Sequence, residues 1–227
     1  MNTISKTQKT VSYILKIIVI LSAVIGTLIS YLAGRQSFMG GSHVFMYFTI
    51  QSNFLIAIIC CYGLYLLLKG KEISKFWYTI KLVGTVSITL TGVVFAFMLA
   101  PTLGADAWNF QNTLTHLVVP LAAVIDFFVV SGAASIKKSN AWFVTIPPLL
   151  YAIYAGIGYV NNWQFAEGIN YPYFFLNWGS EAGAFGFTNE LPFLGCVWWI
   201  LILLIFLVVI GYAYLAIADL ISRRKIR

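Results

Sequence analysis

The sequence predicts an all-α membrane protein, a six-transmembrane helix bundle that forms a single domain over residues 1–227. Apolar residues make up 60% of the chain and charged residues only 9%, whereas a soluble domain carries about 25% charged residues. Several apolar segments exceed the ~18 residues that cross a bilayer. Lysine and arginine cluster in tails and short turns, a pattern that orients a membrane protein. It does not make a surface for nucleic acid, and membrane lipids are the predicted partners.

The apolar segments of the sequence predict six membrane spans. The spans lie at roughly 11–33, 44–68, 77–100, 112–131, 141–160 and 192–220. The first follows a basic lead-in (Lys6, Lys9, Lys16), but its apolar stretch is long and has no clear cleavage site, so we predict a retained helix rather than a signal peptide. The second contains the polar cluster YFTIQSNF. The third carries i, i+4 threonine and serine pairs typical of helix packing.

The last three spans differ in the residues that interrupt their apolar character. The fourth reads NTLTHLVVPLAAVIDFF and contains a histidine and an aspartate. The fifth contains Pro147 and Pro148, which predict a kink because proline cannot donate a helical hydrogen bond. The sixth is a long apolar run that ends in a basic tail (Arg223, Arg224, Lys225, Arg227).

The distribution of basic residues predicts the orientation. Both tails and the 69–76 and 132–140 turns are basic, whereas Arg35 is the only lysine or arginine of the alternate connections. Because cytoplasmic loops carry the excess of lysine and arginine, we predict a multi-pass protein of the cell membrane with both termini cytoplasmic. The longest outer connection, about 161–191, is rich in aromatic residues. We expect it to lie at the membrane interface or to fold back over the mouth of the bundle.

The three cysteines carry no predicted chemistry. Cys60 and Cys61 are expected deep in one helix and Cys196 near the opposite face, so no pair has a disulfide geometry. No metal-ligand spacing is present, and neither a metal nor a cofactor is predicted. The cysteines are interpreted as small packing residues.

His116 is the most informative polar residue, because ionisable side chains inside spanning segments are rare and usually mark function. From the predicted outer boundary, His116 lies ~6 Å deep and Thr49 of the second span ~8 Å deep, at 1.5 Å rise per residue. The two residues therefore lie at the same level of the outer leaflet. Asn53 shares a helical face with Thr49, and Asn112 shares one with His116. Ser52 lies beside Thr49, which completes the polar cluster predicted to support the pair.

Asp126 lies deeper in the fourth span, about 15 Å below His116 at the same rise per residue. That distance is too long for a direct contact, so Asp126 is interpreted as a structural acceptor in the cytoplasmic half, toward Lys81 or a helix end. Thr49 and His116 each also have a purely structural interpretation. An isolated threonine in a spanning helix most often bonds its own backbone carbonyl at i−4, and a histidine can be a satisfied packing residue.

Three blocks of the sequence resemble known membrane proteins. YFTIQSN, NTLTHLVVPLAAVID and GYVNNWQFAEGINYPYFFLN, in or after spans two, four and five, resemble a bacterial family of six-span integral membrane proteins of unassigned activity. More distantly, the layout resembles the eukaryotic androgen-induced protein and androgen-dependent TFPI-regulating protein family. Members of that family are intramembrane threonine hydrolases that cleave fatty acid esters of hydroxy fatty acids.

The resemblance implies roles for individual residues. In that family a threonine on an early span and a histidine in an N-x-x-x-H block form the catalytic pair. Thr49 and His116 occupy those positions, Asn112 matches the asparagine, and residues 171–173 resemble its Tyr-Pro-aromatic segment. The implied activity is hydrolysis of a lipid ester, with Thr49 as nucleophile and His116 as general base. Asn53, Asn112 or a backbone N–H would supply oxyanion donors.

Two other classes of function are compatible with the sequence. In a small-solute or proton-coupled transporter or channel, the same polar cluster would line a path across the membrane. In a non-enzymatic membrane scaffold, the cluster would only hold helices together. Polar residues become sparse below Asn53 apart from Asp126, which disfavours a path. Asp106 or Glu167, from the outer loops, would orient the imidazole if a loop folds inward.

Overall fold

The computed structural model describes residues 5–33, 41–131 and 136–224. Within them, six helices are long and apolar enough to cross a membrane, which confirms the predicted number and order of spans for a multi-pass membrane protein. The helices are α1 (Lys6–Leu32), α2 (Phe48–Leu68), α3 (Lys75–Trp108), α4 (Phe110–Val129), α5 (Lys138–Val160) and α6 (Cys196–Arg224). Arg35, Lys225, Arg227 and positions 132–135 of the second basic turn lie outside the described residues, as does the Arg224 side chain.

Local capping residues explain where several helices begin. Ser5 and Gln8 form a reciprocal capping box at the start of α1, and the Ser74 side chain accepts a hydrogen bond from the Trp77 N–H at the start of α3. Asn109 caps α4 by accepting from the Asn112 N–H at 3.0 Å. Each cap satisfies a backbone donor that has no partner inside the helix.

Two π-helical turns interrupt α3 and α4, at Phe95–Leu99 and Leu114–Val118. After each π turn the chain returns to α-helix, and the second residue of the α-helical part is a proline, Pro101 in α3 and Pro120 in α4. Because proline has no N–H, the carbonyl four residues earlier loses its helical donor, and a wider turn accommodates the loss. Such turns occur frequently at functional sites. With its π turn, α3 continues to Trp108, beyond the predicted end near residue 100.

The two prolines of the fifth span lie where the type of helix changes. The span begins as a 3₁₀ helix, Lys138–Thr145, and becomes α-helical at Ile146–Val160. Pro147 and Pro148 therefore lie in the first turn of the α-helical part, where the missing N–H groups would have no helical acceptor. The change of helix type thus occurs at the prolines for which the sequence predicts a kink.

The packing places α1 to α4 in a four-helix core. In this core α1 packs against α2 and α4, and α3 packs against the same two helices from the other side. Helices α5 and α6 pack on one flank of α3, and α6 is the least buried of the six. Fully buried apolar side chains fill the core between the helices; among them are Val19, Leu82, Val86, Val119 and Phe127.

The connection between α5 and α6 folds back into the bundle. Phe165, Phe175 and Leu176 from this connection are buried, and the carbonyl of Phe165 accepts a hydrogen bond from the Tyr47 hydroxyl at 3.0 Å. Of the two predicted arrangements, folding back over the mouth is the one found. We call this side of the bundle the aromatic end, and the opposite side, which carries residues 69–74 and 136–138, the basic end.

Candidate functional site

Thr49 lies in the first turn of α2, directly after the N-cap residue Tyr47 and Phe48. Its backbone N–H donates to the Tyr173 hydroxyl at 3.3 Å, because donors of a first helical turn need partners from outside the helix. Its Oγ1 lies 3.3 Å from His116 Nε2 and 3.4 Å from the Tyr173 hydroxyl oxygen. The predicted proximity of Thr49 and His116 is confirmed, and the hydroxyl faces the imidazole rather than a carbonyl of its own helix.

The other nitrogen of His116 determines what Nε2 can do. Nδ1 lies 3.1 Å from the carbonyl oxygen of Asn112 and 3.0 Å from Thr115 Oγ1. A carbonyl can only accept, and Thr115 Oγ1 already donates to the carbonyl of Gln111 at 2.9 Å. Nδ1 is therefore the protonated nitrogen. This leaves the lone pair of Nε2 available to the Thr49 hydroxyl, as a general base requires.

The two π turns meet at the imidazole. His116 lies inside the π turn of α4, and Phe95 begins the π turn of α3. The two rings stack with their centroids 3.8 Å apart and an interplanar angle of 21°. Trp108 packs edge-on against the far side of Phe95, with centroids 4.9 Å apart. This stack fixes the plane of the imidazole. The sequence analysis missed Phe95, although Pro101 and Pro120 signal the interrupted helices.

Asn53 and Ser52 position the Thr49 backbone. The Asn53 amide donates to the carbonyl of Thr49 at 2.8 Å and to the carbonyl of Thr115 at 3.2 Å. It therefore joins α2 to α4 beside the site. Ser52 Oγ donates to the Thr49 carbonyl at 3.0 Å and lies 2.7 Å from Thr91 Oγ1. Both hydrogens of the Asn53 amide therefore have acceptors in this structure, and an oxyanion role for Asn53 stays a prediction.

Asn112 contributes mainly through its backbone. Its carbonyl accepts from His116 Nδ1, while its side-chain amide donates to the Ala107 carbonyl at 2.8 Å. The side chain thereby joins the start of α4 to the end of α3. Asn112 supports the orientation of the imidazole and lines the cavity described below.

Tyr173 is a further side chain of the candidate site. The sequence pointed to it only through the resemblance of residues 171–173 to the family's Tyr-Pro-aromatic segment. Its ring stacks on Phe175 with centroids 5.1 Å apart and packs edge-on against Tyr47 at 5.9 Å. Burial raises the pKa of the Tyr173 hydroxyl, so the phenol stays protonated at neutral pH. A protonated phenol 3.4 Å from Thr49 Oγ1 is able to donate a hydrogen bond next to this hydroxyl.

A cavity of about 490 Å³ lies beside the pair at the aromatic end, and we call it the polar cavity. His116, Thr49 and Tyr173 form its floor. Its other polar lining comes from α1, from the junction of α3 with α4 and from the folded-back loop: Ser30, Thr102, Asp106, Asn109, Gln111, Asn112 and Tyr171.

Asp106 lines this cavity, yet Nδ1 of His116 is bound by a carbonyl and a hydroxyl. Glu167 is exposed on the loop. The conditional role of Asp106 or Glu167 is therefore not taken at Nδ1, where the Asn112 carbonyl and the Thr115 hydroxyl are the partners of the imidazole.

Asp126 belongs to a separate buried ion cluster toward the basic end, ten residues along α4 from His116. Its carboxylate contacts Lys81 Nζ at 2.5 Å, Lys16 Nζ at 2.7 Å and Ser12 Oγ at 2.5 Å. The expected contact with Lys81 is confirmed. Lys16, which was grouped with the basic lead-in, is buried at 3% exposure. A residue that pairs inside the bundle does not act as an orienting surface cation, so the grouping of Lys16 with the lead-in was wrong.

The cysteines are all free, with Cys60 and Cys196 buried and Cys61 exposed. Within residues 5–33, 41–131 and 136–224, no three His, Cys, Asp or Glu side chains converge as a metal site requires. No protein-family model, curated protein or solved structure matches the chain. The resemblance to the androgen-induced protein family therefore stays a prediction.

Proposed function

We propose that the chain is an intramembrane hydrolase of lipid esters, with Thr49 as nucleophile and His116 as general base. In this proposal it spans the cell membrane with both termini cytoplasmic, so the aromatic end faces outward and the pair lies in the outer leaflet. The observation that carries the proposal is the buried contact of 3.3 Å between Thr49 Oγ1 and His116 Nε2 on the floor of the polar cavity.

The first half of the reaction acylates the enzyme. Thr49 Oγ1 attacks the ester carbonyl carbon while its proton passes to His116 Nε2, which yields a tetrahedral oxyanion. The oxyanion collapses as the bond to the alcohol oxygen breaks, and His116 returns the proton to that oxygen. The alcohol leaves, and the acyl group remains esterified to Thr49.

The second half regenerates the enzyme. A water molecule from the polar cavity attacks the acyl carbonyl and gives its proton to His116 Nε2. The second oxyanion collapses with cleavage of the bond to Thr49 Oγ1, which takes the proton back from His116. The products are a free fatty acid and unmodified Thr49.

Two features stabilise the oxyanion in this scheme. Thr49 lies in the first turn of α2, so the positive end of the helix dipole is close to its hydroxyl oxygen, although the Thr49 N–H itself already donates to Tyr173. The protonated Tyr173 hydroxyl lies next to Thr49 Oγ1 and supplies a side-chain donor. Preorganised donors of this kind account for a large part of the rate in acyl transfer.

The polar residues near the site end sooner on two helices than on the third. On α2 and α4, buried apolar side chains such as Ile56, Val119 and Ala123 separate Thr49 and His116 from the ion cluster at Asp126. On α3, buried hydroxyl groups continue from the site toward Lys81: Thr91, Ser87 and Thr85. A transport path through both polar clusters would therefore have to follow α3, and the flux measurement described below tests it. A scaffold needs the helix-packing contacts but not a cavity of about 490 Å³ next to the pair, and this cavity favours the hydrolase over a scaffold.

The test is covalent labelling of the full chain in detergent or nanodiscs with a fluorophosphonate probe. We expect wild-type protein to be labelled and both Thr49→Ala and His116→Ala to lose labelling and ester hydrolysis. Labelling that survives in Thr49→Ala would exclude Thr49 as the nucleophile. Solute or proton flux in liposomes that depends on His116 would favour the transporter.

Matched controls are available in the same bundle. Thr85→Ala removes another buried threonine hydroxyl of the membrane region, and His43→Ala removes the second of the two histidines. Neither residue contacts the Thr49–His116 pair, so both variants should label like the wild type. Loss of labelling in the controls would mean that labelling reports the folded state rather than the nucleophile.

A further inference from the structure

We propose that an apolar cleft, which shares Thr49 with the polar cavity as a lining residue, binds the acyl chain of the ester, while the polar cavity takes the alcohol half. This inference rests on the proposed hydrolase function and assigns the two halves of its substrate to two separate places. The cleft lies between α2, α3, α5 and α6. Thr49 and Tyr173 line both the cleft and the polar cavity.

The lining of the cleft is suited to hydrocarbon. Leu90, Val94 and Leu99 line it from α3, and Ala152 lines it from α5. Two further polar side chains in its wall are already satisfied: Thr91 Oγ1 lies 2.7 Å from Ser52 Oγ, and the Tyr151 hydroxyl donates to the Met46 carbonyl at 3.1 Å. A chain of methylene groups loses no hydrogen bond by entering such a space and gains from the removal of apolar surface from water.

The cleft is narrow and has room only for the first methylene groups of an alkyl chain, those next to the ester carbonyl. Its volume is about 60 Å³, compared with about 490 Å³ for the polar cavity. A headgroup with hydrogen-bonding groups fits the larger cavity, whose walls carry hydroxyl, amide and carboxylate groups. The ester carbonyl of a substrate that occupied both spaces would lie at their common wall, which is where Thr49 Oγ1 is.

The cleft extends toward the surrounding lipid between α5 and α6. Pro148 on α5 and Ile200, Leu203 and Leu204 on α6 line it and are only half-buried, and α6 is the least buried helix of the bundle. A chain longer than the cleft can therefore continue outward between these helices. This route lets the acyl chain reach Thr49 without crossing the polar cavity.

The test changes the width of the cleft and measures chain-length preference. Ala152→Phe places a ring in the cleft wall, and Leu204→Ala widens it. With p-nitrophenyl esters, whose alcohol half is constant, we expect Ala152→Phe to lower the ratio of palmitate to butyrate hydrolysis by about tenfold, since a few methylene groups discriminate on this scale. Leu204→Ala should raise the relative hydrolysis of branched acyl chains. Ile153→Phe adds a similar ring on the lipid-facing side of α5, where Ile153 is 53% exposed, and should keep the wild-type ratio.

Binding of the acyl chain is measured separately from hydrolysis, so that the proposal for the cleft and the proposal for the hydrolase can be contradicted independently. A palmitoyl ester with a photoreactive group in its acyl chain is crosslinked to the full-length His116→Ala variant in nanodiscs, and the labelled peptides are mapped. Crosslinks at Leu203 or Leu204 support the cleft even if the wild type hydrolyses no ester. Hydrolysis by the wild type with crosslinks confined to the polar cavity, or an unchanged chain-length ratio in folded Ala152→Phe, would overturn the assignment. Crosslinks that a tenfold excess of unlabelled phospholipid removes, but unlabelled substrate ester does not, would identify a resident bilayer lipid and overturn it as well.

Discussion

At the scale of single residues, the position of Thr49 in a first helical turn explains its environment. A threonine in the middle of a spanning helix has a carbonyl four residues earlier to bond, whereas Thr49 follows the N-cap Tyr47 by two residues. Its hydroxyl is therefore available to His116, and its N–H is available to Tyr173. The tautomer of His116 is set by the carbonyl of Asn112. The proposed nucleophile and the proposed base thus depend on backbone groups for their orientation.

Removal of the Tyr173 hydroxyl tests the oxyanion role. Tyr173→Phe keeps the ring that stacks on Phe175 and deletes the hydroxyl, which lies next to Thr49 Oγ1 and also accepts the Thr49 N–H. If the hydrolase proposal is correct, we expect kcat to fall by about 100- to 1,000-fold, the usual effect of losing one oxyanion donor, while KM changes little. The thermal midpoint should fall as well, because the buried Thr49 N–H loses its acceptor. Tyr171→Phe, on the same loop and in the polar cavity, is the control and should retain activity. An equal loss in both variants would contradict a specific role for Tyr173.

At the scale of elements, close contact between α3 and α4 holds the site together. Gly92 of α3 packs against the π turn of α4, and a Cβ at this position would lie 2.9 Å from the carbonyl oxygen of His116 and 3.2 Å from the Pro120 ring. The absence of a side chain at Gly92 lets the two interrupted helices approach. This approach brings Phe95, three residues later on α3, over the imidazole.

A single methyl group at this contact should disturb the site. In Gly92→Ala the backbone of α4 must move, because a carbonyl and a proline ring cannot rotate away as a flexible side chain can. We expect a destabilisation of about 1–3 kcal/mol, as for other overpacked positions, together with reduced hydrolysis. The measurement is the thermal or denaturant midpoint in detergent, alongside activity.

Gly156→Ala on α5 is the matched control, because a Cβ there meets nothing within 4 Å. Alanine in a helix interior is favoured over glycine by about 0.5–1 kcal/mol, so this variant should be unchanged or slightly more stable. Equal stability of Gly92→Ala and wild type would show that the helices can separate at Gly92 without cost.

At the scale of the whole molecule, the two clusters of polar residues have different tasks. The cluster at Thr49 borders a cavity, whereas the ion cluster joins α1, α3 and α4 through Lys16, Lys81 and Asp126. Both lysines are almost completely buried, and Asp126 is fully buried. A buried charge that loses its partner is costly because the remaining charge has no water to solvate it. The ion cluster therefore determines which helices of the core can pack together.

Removal of the shared carboxylate should destabilise the bundle without touching the candidate site. In Asp126→Ala two buried lysines lose their counter-ion, and we expect a loss of about 3–5 kcal/mol in the free energy of unfolding. Asp219→Ala, a half-buried carboxylate of α6, is the control and should cost much less. Replacing Lys16, Lys81 and Asp126 together by Met, Met and Leu should recover most of the loss. A triple variant no better than Asp126→Ala would contradict an electrostatic cause.

The orientation of the whole bundle is tested by thiol accessibility. In a background without the native cysteines, Glu167→Cys at the aromatic end should react with a membrane-impermeant maleimide in intact cells. Lys71→Cys in a basic turn should react only after permeabilisation, because basic loops are retained in the cytoplasm. Both positions are exposed, so access to the reagent decides the result. The reverse pattern would place Thr49 in the cytoplasmic leaflet.

The class of the protein, the six spans and the common level of Thr49 and His116 follow from the sequence alone. The spans are visible because a bilayer demands long apolar helices, and the common level is predictable because helical rise is constant. Residues at equal depth in two spans must therefore lie at one level. The basic turns add an orientation by the same kind of counting. No knowledge of which helices touch is needed for these steps.

The remaining features depend on contacts between distant parts of the chain, so only the tertiary structure decided them. Tyr173 reaches Thr49 across 124 residues, and Asp126 reaches Lys16 across 110. The sequence places Lys16 in a basic lead-in, whereas helix packing buries it beside a carboxylate. The stack of Phe95 on His116 requires two helices, each widened before a proline, to face each other. Depth along one helix is a local property, but the rotation of a helix and its choice of neighbours are set by the packing of all six.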